Sequence, residues 1–128
     1  DGILSIWLPG GDPTIISAVA RAVAESYPSV NVYQSIEGWG FHFVASAQPI
    51  FVPPPELLAA RMPPRAAADL LEWGELAKPE DYFRPVFGRE IPIERLVALV
   101  PGVSPVTDDR PVNEYFFLRA LRRISATW

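Results

Sequence analysis

The chain has 128 residues, a net charge of −4 and 49% apolar residues, which is typical of one folded domain. The mild acidity argues against a dedicated nucleic-acid binder, whose surface would carry a strongly basic field. The chain has no cysteine and one histidine, which excludes disulfides, thiol nucleophiles, zinc–thiolate sites and histidine-rich metal sites.

The start of the chain shows no targeting signal. Residues 1–11 open on an acid and a short apolar run, without a basic leader or a small-residue cleavage site, so no signal peptide is predicted. No apolar run approaches the roughly 20 residues that cross a bilayer. A strand-like segment begins at residue 2 or 3, which fits either a natural domain start or a fragment of a longer chain.

The first half begins with a strand and a helix. Residues 2–8 are apolar, β-branched and aromatic, which predicts a buried strand that ends at the Pro-Gly-Gly turn of 9–11. Asp12 followed by Pro13 is typical of a helix start. Apolar residues at helical spacing then predict an amphipathic helix over 13–27.

A hairpin follows this helix. Alternating apolar and polar residues predict a half-buried strand over 30–36, and residues 41–46 form the returning strand. The glycine-bearing segment 37–40 supplies the turn. Residues 1–50 are therefore predicted to be an α/β unit of strand, helix and antiparallel hairpin.

The second half, residues 51–128, is punctuated by prolines. Pro53-Pro54-Pro55 predicts a stiff extended linker. Leucine, alanine and charged residues at helical spacing predict short helices over 56–62, 65–73, 80–87 and 93–100. A loop over 101–111, an extended segment over 113–118 and a helix over 119–125 complete the chain. We expect a helical tail with no sheet of its own that packs on the same core.

Two features of the first half have candidate chemistry. The turn from Pro9 to Asp12 lies between a strand and a helix, as phosphate loops do, but lacks their spaced glycines and lysine, so a structural turn is favoured. Trp39 lies between two glycines at the hairpin tip, and two roles are open for it. It covers a ligand or a partner, or it folds back onto the tail helices; the second role is favoured. His42 is favoured as a packed or solvated residue rather than a catalyst.

The densest charge cluster is Asp108-Asp109-Arg110, with Glu114 nearby. Paired carboxylates perform acid–base chemistry or bind cations. They equally cap turns, with the arginine in an ion pair, and this structural role is favoured. We hypothesise a buried ion pair between Asp109 and Arg110 that holds the tail against the sheet.

The end of the chain is basic. Its arginines predict a solvated helix face, with a membrane or an acidic partner as the less favoured alternative. These arginines are Arg119, Arg122 and Arg123.

Taken in order, these features resemble the C-terminal part of spermidine-synthase-like proteins, which have the fold of S-adenosylmethionine-dependent methyltransferases. The Trp-Leu-Pro at 7–9 and the Tyr-Pro-Ser-Val at 27–30 carry the weaker part of this resemblance. The closing motif is more specific, and resembles the branch often fused to bacterial membrane segments more than the true spermidine synthases. That motif comprises Thr107, Asp108, Asp109, Arg110, Pro111, Glu114 and Tyr115.

The resemblance implies a place for each element in the C-terminal portion of a Rossmann-like sheet. Residues 2–8 would be its fifth strand, 13–27 the following helix, and 30–36 the sixth strand. Residues 41–46 would be the seventh strand, antiparallel between the fifth and the sixth. The loop after the fifth strand and the hairpin tip would border the acceptor side of an aminopropyltransferase active site. The candidate cleft residues are Pro9, Gly10, Asp12, Glu37 and Trp39.

The departures from this family concern the cofactor. Its glycine-rich loop, ribose-binding acid and catalytic aspartate belong to the first four strands, which this sequence does not contain. The resemblance therefore implies no catalytic, cofactor-binding or metal-binding residue here, and no catalysis by these residues alone. A full-length parent would bind S-adenosylmethionine or its decarboxylated form and transfer a methyl or aminopropyl group. It would be cytoplasmic, or the cytoplasmic part of a membrane-anchored protein.

In the methyltransferase sheet the fourth strand pairs with the fifth, so its absence from this sequence leads to a prediction about partners. The fifth strand would have a bare apolar edge, which predicts a homodimer, pairing with the missing N-terminal half, or cover by the chain's own tail. The alternative function is a non-catalytic interaction or oligomerisation module, with that edge and Trp39 as partner surfaces. An independent α+β binding domain is less favoured because the closing motif is specific.

Overall fold

The computed structural model describes residues 2–72 and 74–111 of the chain. Its strands are β1 (Ile3–Pro9), β2 (Ser29–Gln34), β3 (Gly40–Ser46) and β4 (Glu90–Ile91). Its helices are α1 (Pro13–Ser26), α2 (Pro55–Arg61), α3 (Pro64–Glu72), α4 (Glu80–Phe87) and α5 (Ile93–Val97). Over these residues the fold is mixed α/β, with one antiparallel sheet in the order β1-β3-β2-β4.

The start of α1 follows the local sequence signals. The Asp12 carboxylate accepts a hydrogen bond from the backbone N–H of Thr14 at 2.8 Å, which satisfies one of the N–H groups that every helix start leaves unpaired. Pro13 is the first helical residue, where its missing N–H costs nothing. The helix ends at Ser26, so the prediction of a helix over 13–27 is confirmed to within one residue.

The sheet is organised around β3. This strand is antiparallel to both β1 and β2, which therefore run parallel to each other. Phe43 of β3 is opposite Ile6 on one side and Val32 on the other, and its side chain is 0% exposed. The strand order implied by the resemblance is thus present among these three strands, whereas the larger methyltransferase sheet stays a prediction.

β1 is not the buried strand that its composition predicts. Leu8 is 9% exposed on the side of the core, but Ile3 is 67% exposed and Trp7 is 50% exposed on the opposite side. The physical reason is position, because β1 lies at the edge of the sheet. An edge strand gains a neighbour on one side only, so its apolar composition does not ensure burial.

The second half contributes a strand that the sequence did not predict. Glu90 and Ile91 pair with Tyr33 and Val32 of β2 and become the fourth strand of the sheet. The four predicted short helices are present, α4 with the predicted bounds and the other three with shifted ones. The last of them ends at Val97, three residues earlier than predicted.

Helices of the second half pack against both faces of the sheet. Leu96 of α5 is 4% exposed and belongs to the same core cluster as Ile16 of α1. On the other face, the Phe87 ring of α4 meets the Tyr33 ring edge-on, with centroids 5.9 Å apart. Burial, and then the carboxylate of Glu90, raises the pKa of Tyr33 above its ordinary value.

The closing motif lies partly within the described residues. The backbone N–H of Arg110 donates to the Thr107 carbonyl at 2.9 Å and closes a tight turn, so a turn is present where the structural interpretation predicts one. Asp108, Asp109 and Arg110 are all exposed. The hypothesis of a buried Asp109–Arg110 ion pair is therefore wrong, because the turn directs this segment into solvent.

The remainder of the motif and the basic end are beyond the described part of the chain. Residues 112–128 include Glu114, the predicted extended segment, the predicted final helix and the three terminal arginines. The predictions made for these residues lie outside the described residues.

A buried hydroxyl joins α1 to α5. Ser17 is 0% exposed, and its Oγ donates to the Val97 carbonyl at 2.7 Å. Since Val97 is the last residue of α5, its carbonyl has no partner within that helix. We expect Ser17→Ala to lower the free energy of unfolding by about 1–3 kcal/mol, because the Val97 carbonyl loses the donor that packs against it.

The measurement is urea denaturation followed by circular dichroism, with Ser26→Ala at the exposed end of α1 as the matched control. The control should change stability by less than about 0.5 kcal/mol. If both variants lowered the free energy of unfolding equally, the Ser17 hydroxyl would make no specific contribution to stability.

Candidate functional site

The candidate site is an open pocket of about 550 Å³ at the hairpin tip. It lies where the end of β1, the β2–β3 turn and α4 meet. Its lining residues are Trp7, Gln34, Ser35, Ile36, Glu37, Trp39, His42 and Val86.

The hairpin turn is closed by two backbone hydrogen bonds. The Ser35 N–H donates to the Gly40 carbonyl at 2.8 Å, and the Gly38 N–H donates to the Ser35 carbonyl at 2.8 Å. Gly38 has φ +83°, in the left-handed region that glycine adopts without strain. The turn therefore holds Trp39 in a fixed place above the end of β1.

A contact between two backbones joins this turn to the loop after β1. The Gly10 N–H donates to the Trp39 carbonyl at 2.6 Å. A Cβ atom at Gly10 would lie 2.7 Å from that carbonyl oxygen, closer than such atoms approach one another. Glycine at this position therefore permits the contact that brings the two segments of the predicted cleft together.

Two tryptophans form the aromatic wall of the pocket. The Trp7 and Trp39 rings are perpendicular, with centroids 5.7 Å apart, and their residues are 50% and 60% exposed. A Cβ at Gly40 would lie 2.9 Å from the Trp7 Nε1, so the missing side chain makes room for this indole. Trp39 packs on Trp7 of β1, while the expectation that it folds back onto the tail helices stays a prediction.

The polar side of the pocket is made by the hairpin strands. The Ser35 Oγ and the His42 Nε2 are 3.2 Å apart and share a hydrogen bond. The Arg89 guanidinium donates to the Ser35 carbonyl at 3.3 Å, and the Gln34 amide donates to the Gly38 carbonyl at 3.2 Å. These contacts hold the turn from behind, while Glu37 stays exposed at the tip.

This arrangement suits a small organic cation. Exposed indole rings attract cations through their π faces, most strongly for tryptophan. Glu37 adds a carboxylate at the same opening, and the chain's net charge of −4 favours the approach of a cation. These are groups of the kind with which proteins attract a protonated amine.

The predicted cleft residues divide into two groups. Glu37 and Trp39 line the pocket. The other three do not line the pocket. Pro9 ends β1, Gly10 contacts the Trp39 backbone, and Asp12 caps α1, so they position the segments that carry the lining residues.

Trp7 was not predicted from the sequence to line the cleft, and no partner was predicted for His42. Alternation along β1 and β3 places each of them on the non-core face, but only the register puts Trp7 opposite His42. That register is set by contacts between strands more than 30 residues apart in sequence, which no local pattern contains.

Two searches of the described ranges found nothing. Over residues 2–72 and 74–111, no three histidine or acidic residues are grouped so that they could hold a metal ion. In that same part of the chain, no helix has the length and apolarity needed to span a membrane.

Comparison with known proteins gives no match, because no protein-family model, curated protein or solved structure is significantly similar to this chain. The resemblance to spermidine-synthase-like proteins therefore stays a prediction.

The Gly10–Trp39 contact yields a direct test of the site's construction. We expect Gly10→Ala to cost about 1–3 kcal/mol of unfolding free energy, because the added methyl group forces the two segments apart. Trp39 would then move relative to Trp7, and the tryptophan emission spectrum should shift.

The matched control is Gly2→Ala, where an added Cβ has nothing within 4 Å. Thermal unfolding and fluorescence of both variants supply the comparison. If Gly10→Ala behaves like Gly2→Ala, the backbone contact does not hold the site together.

Proposed function

We propose that this chain is the acceptor-side half of a spermidine-synthase-like aminopropyl- or methyltransferase, and that its hairpin-tip pocket binds the amine that accepts the transferred group. The observation that carries the proposal is the meeting of the loop after β1 with the tip of the β2–β3 hairpin, through Gly10 and Trp39. In the resembled family these two segments border the acceptor.

The pocket contributes recognition under this proposal. The indoles of Trp7 and Trp39 attract a protonated amine, and Glu37 offsets its charge. A second polar group of the acceptor can meet the Ser35–His42 pair. No catalytic residue is assigned to the described part of the chain, because the proposal places the group transfer in the other half of the enzyme.

The same proposal assigns the cofactor elsewhere. The sequence contains no G-x-G-x-x-G segment of the kind that receives a nucleotide cofactor. S-adenosylmethionine or its decarboxylated form would be bound by strands preceding β1 in a cytoplasmic or membrane-anchored parent.

We expect no saturable binding of S-adenosylmethionine by the 128-residue chain in calorimetry. Tight binding of S-adenosylmethionine by this chain would overturn the proposal that the cofactor site lies in the other half of the enzyme.

Amine recognition is tested by titrating 1,4-diaminobutane against tryptophan fluorescence. We expect saturable quenching that 1-butanol, a neutral compound with the same four-carbon chain, does not produce. Trp39→Ala should abolish the response, because one wall of the pocket is lost. Glu37→Gln should weaken binding about three- to tenfold, which corresponds to an exposed ion pair of about 0.6–1.4 kcal/mol.

Glu25→Gln is the matched control, because it removes one exposed carboxylate from α1, away from the pocket lining. Its affinity for the diamine should equal that of the unchanged chain. Equal weakening by Glu37→Gln and Glu25→Gln would mean that the amine responds to net charge alone, and the proposed site would be rejected.

A second candidate function, an oligomerisation module, is favoured by a different observation. β1 has no neighbouring strand on its outer side within the described residues, and its side chains carry no charge. Charged residues are a common protection of edge strands. This candidate needs no cofactor and no chemistry, only a partner for the edge.

A further inference from the structure

Within the part of the chain that the structure describes, no strand pairs with the outer edge of β1, which presents backbone groups at defined residues. Gly10 donates its N–H to the Trp39 carbonyl, one residue beyond Pro9 and Gly40, the last pair in the ladder of β1 and β3. Hydrogen-bonded pairs alternate in an antiparallel ladder, so the backbone groups of Leu4, Ile6 and Leu8 point toward β3. Those of Ile3, Ser5 and Trp7 therefore point outward.

Pro9 limits the length of this edge. By the same alternation its nitrogen points outward, where the missing N–H removes nothing from the ladder with β3. A strand that paired with the edge would find no donor at this residue. The segment that can accept a partner is therefore residues 3–7, with Ser5 at its centre.

We propose that a second copy of this chain pairs with this edge, antiparallel, about a twofold axis at Ser5. In this register Ser5 is opposite the partner's Ser5, and Ile3 is opposite the partner's Trp7. The proposal rests on the second candidate function and does not require that the chain binds an amine.

The edge is complementary to itself in charge and in side chains. Residues 2–11 contain no charged residue, so no like charges meet across the axis. Ile3 and Trp7, 67% and 50% exposed, become cross-strand neighbours of the aromatic and β-branched kind that stabilises sheets. A one-residue shift would bring inward-pointing backbone groups to the edge and lose the pairing.

The core side of the sheet supports the same arrangement. An apolar cleft of about 390 Å³ lies beside the edge, between β1 and α1, and its lining includes Leu4, Ile6 and Val19. A twofold axis perpendicular to the sheet places both copies of α1 on the same face. The second copy therefore brings apolar side chains to this cleft as its strand joins the edge.

The absence of cysteine makes the register directly testable. A single Ser5→Cys change places two thiols on the axis. Hydrogen-bonded antiparallel pairs have Cα atoms about 5.5 Å apart, within the roughly 4.4–6.8 Å that disulfides span. Ile3→Cys is the control on the same edge and face, because its two copies would be about 13 Å apart along the strands.

After mild oxidation with glutathione disulfide, we expect non-reducing gels to show a covalent dimer for Ser5→Cys and little for Ile3→Cys. The Ile3→Cys/Trp7→Cys double variant should also cross-link. Equal cross-linking by the two single variants, or none by Ser5→Cys, overturns the proposed register.

Association itself is measured by sedimentation of the unmodified chain over a range of concentrations. We expect a concentration-dependent dimer, which Ser5→Lys weakens about tenfold or more by placing like charges opposite each other, and which Ser5→Gln retains. Circular dichroism confirms that both variants fold. A monomer at every concentration overturns the proposal, whether or not the chain binds diaminobutane.

Discussion

The insertion of β3 between β1 and β2 is the constraint on which the rest of the structure depends. β3 is antiparallel to both neighbours, so the β2–β3 turn returns to the end of β1 and brings Trp39 over Gly10. The fully buried Phe43 fixes this arrangement, because a slip by one residue would move it to the other face of the sheet. The pocket is therefore a consequence of strand order and register.

The same strand order leaves β1 at the edge, and both candidate functions follow from this position. In the proposed transferase, a strand from the other half of the enzyme would occupy the outer side of β1. In the oligomerisation module, a second copy occupies it. The two functions use surfaces that overlap at one residue, since the amine meets the hairpin tip while the partner meets the backbone of residues 3–7. Trp7 belongs to both surfaces, so amine binding and association can influence each other through its indole.

The sequence predicted what local chemistry determines. Asp12 and Pro13 marked the start of α1, and proline and glycine marked the turn after β1, because capping and turn formation depend on neighbouring residues. β4 was missed because two residues cannot display the alternation of a strand. The burial of β1 was misjudged because apolar composition does not say whether a strand is central or at an edge.

The candidate site was predictable only in part, for a similar reason. Glu37 and Trp39 were found because they are neighbours in one turn, whereas Trp7 joins them through a contact across the sheet. The buried Asp109–Arg110 ion pair was a wrong hypothesis because a charge cluster in sequence does not reveal whether its turn faces the core or solvent. Register and burial are properties of the assembled sheet, and no local pattern contains them.

Amide hydrogen exchange, measured residue by residue by NMR at two protein concentrations, tests most directly that β1 is paired on one side and open on the other. In dilute protein, the account predicts slow exchange at Leu4, Ile6 and Leu8, which donate to β3, and fast exchange at Ser5 and Trp7. In concentrated protein, Ser5 and Trp7 should become protected as the edge finds its partner. Equal protection of all five amides at both concentrations would contradict the account, because the outer side of β1 would then be covered within a single chain.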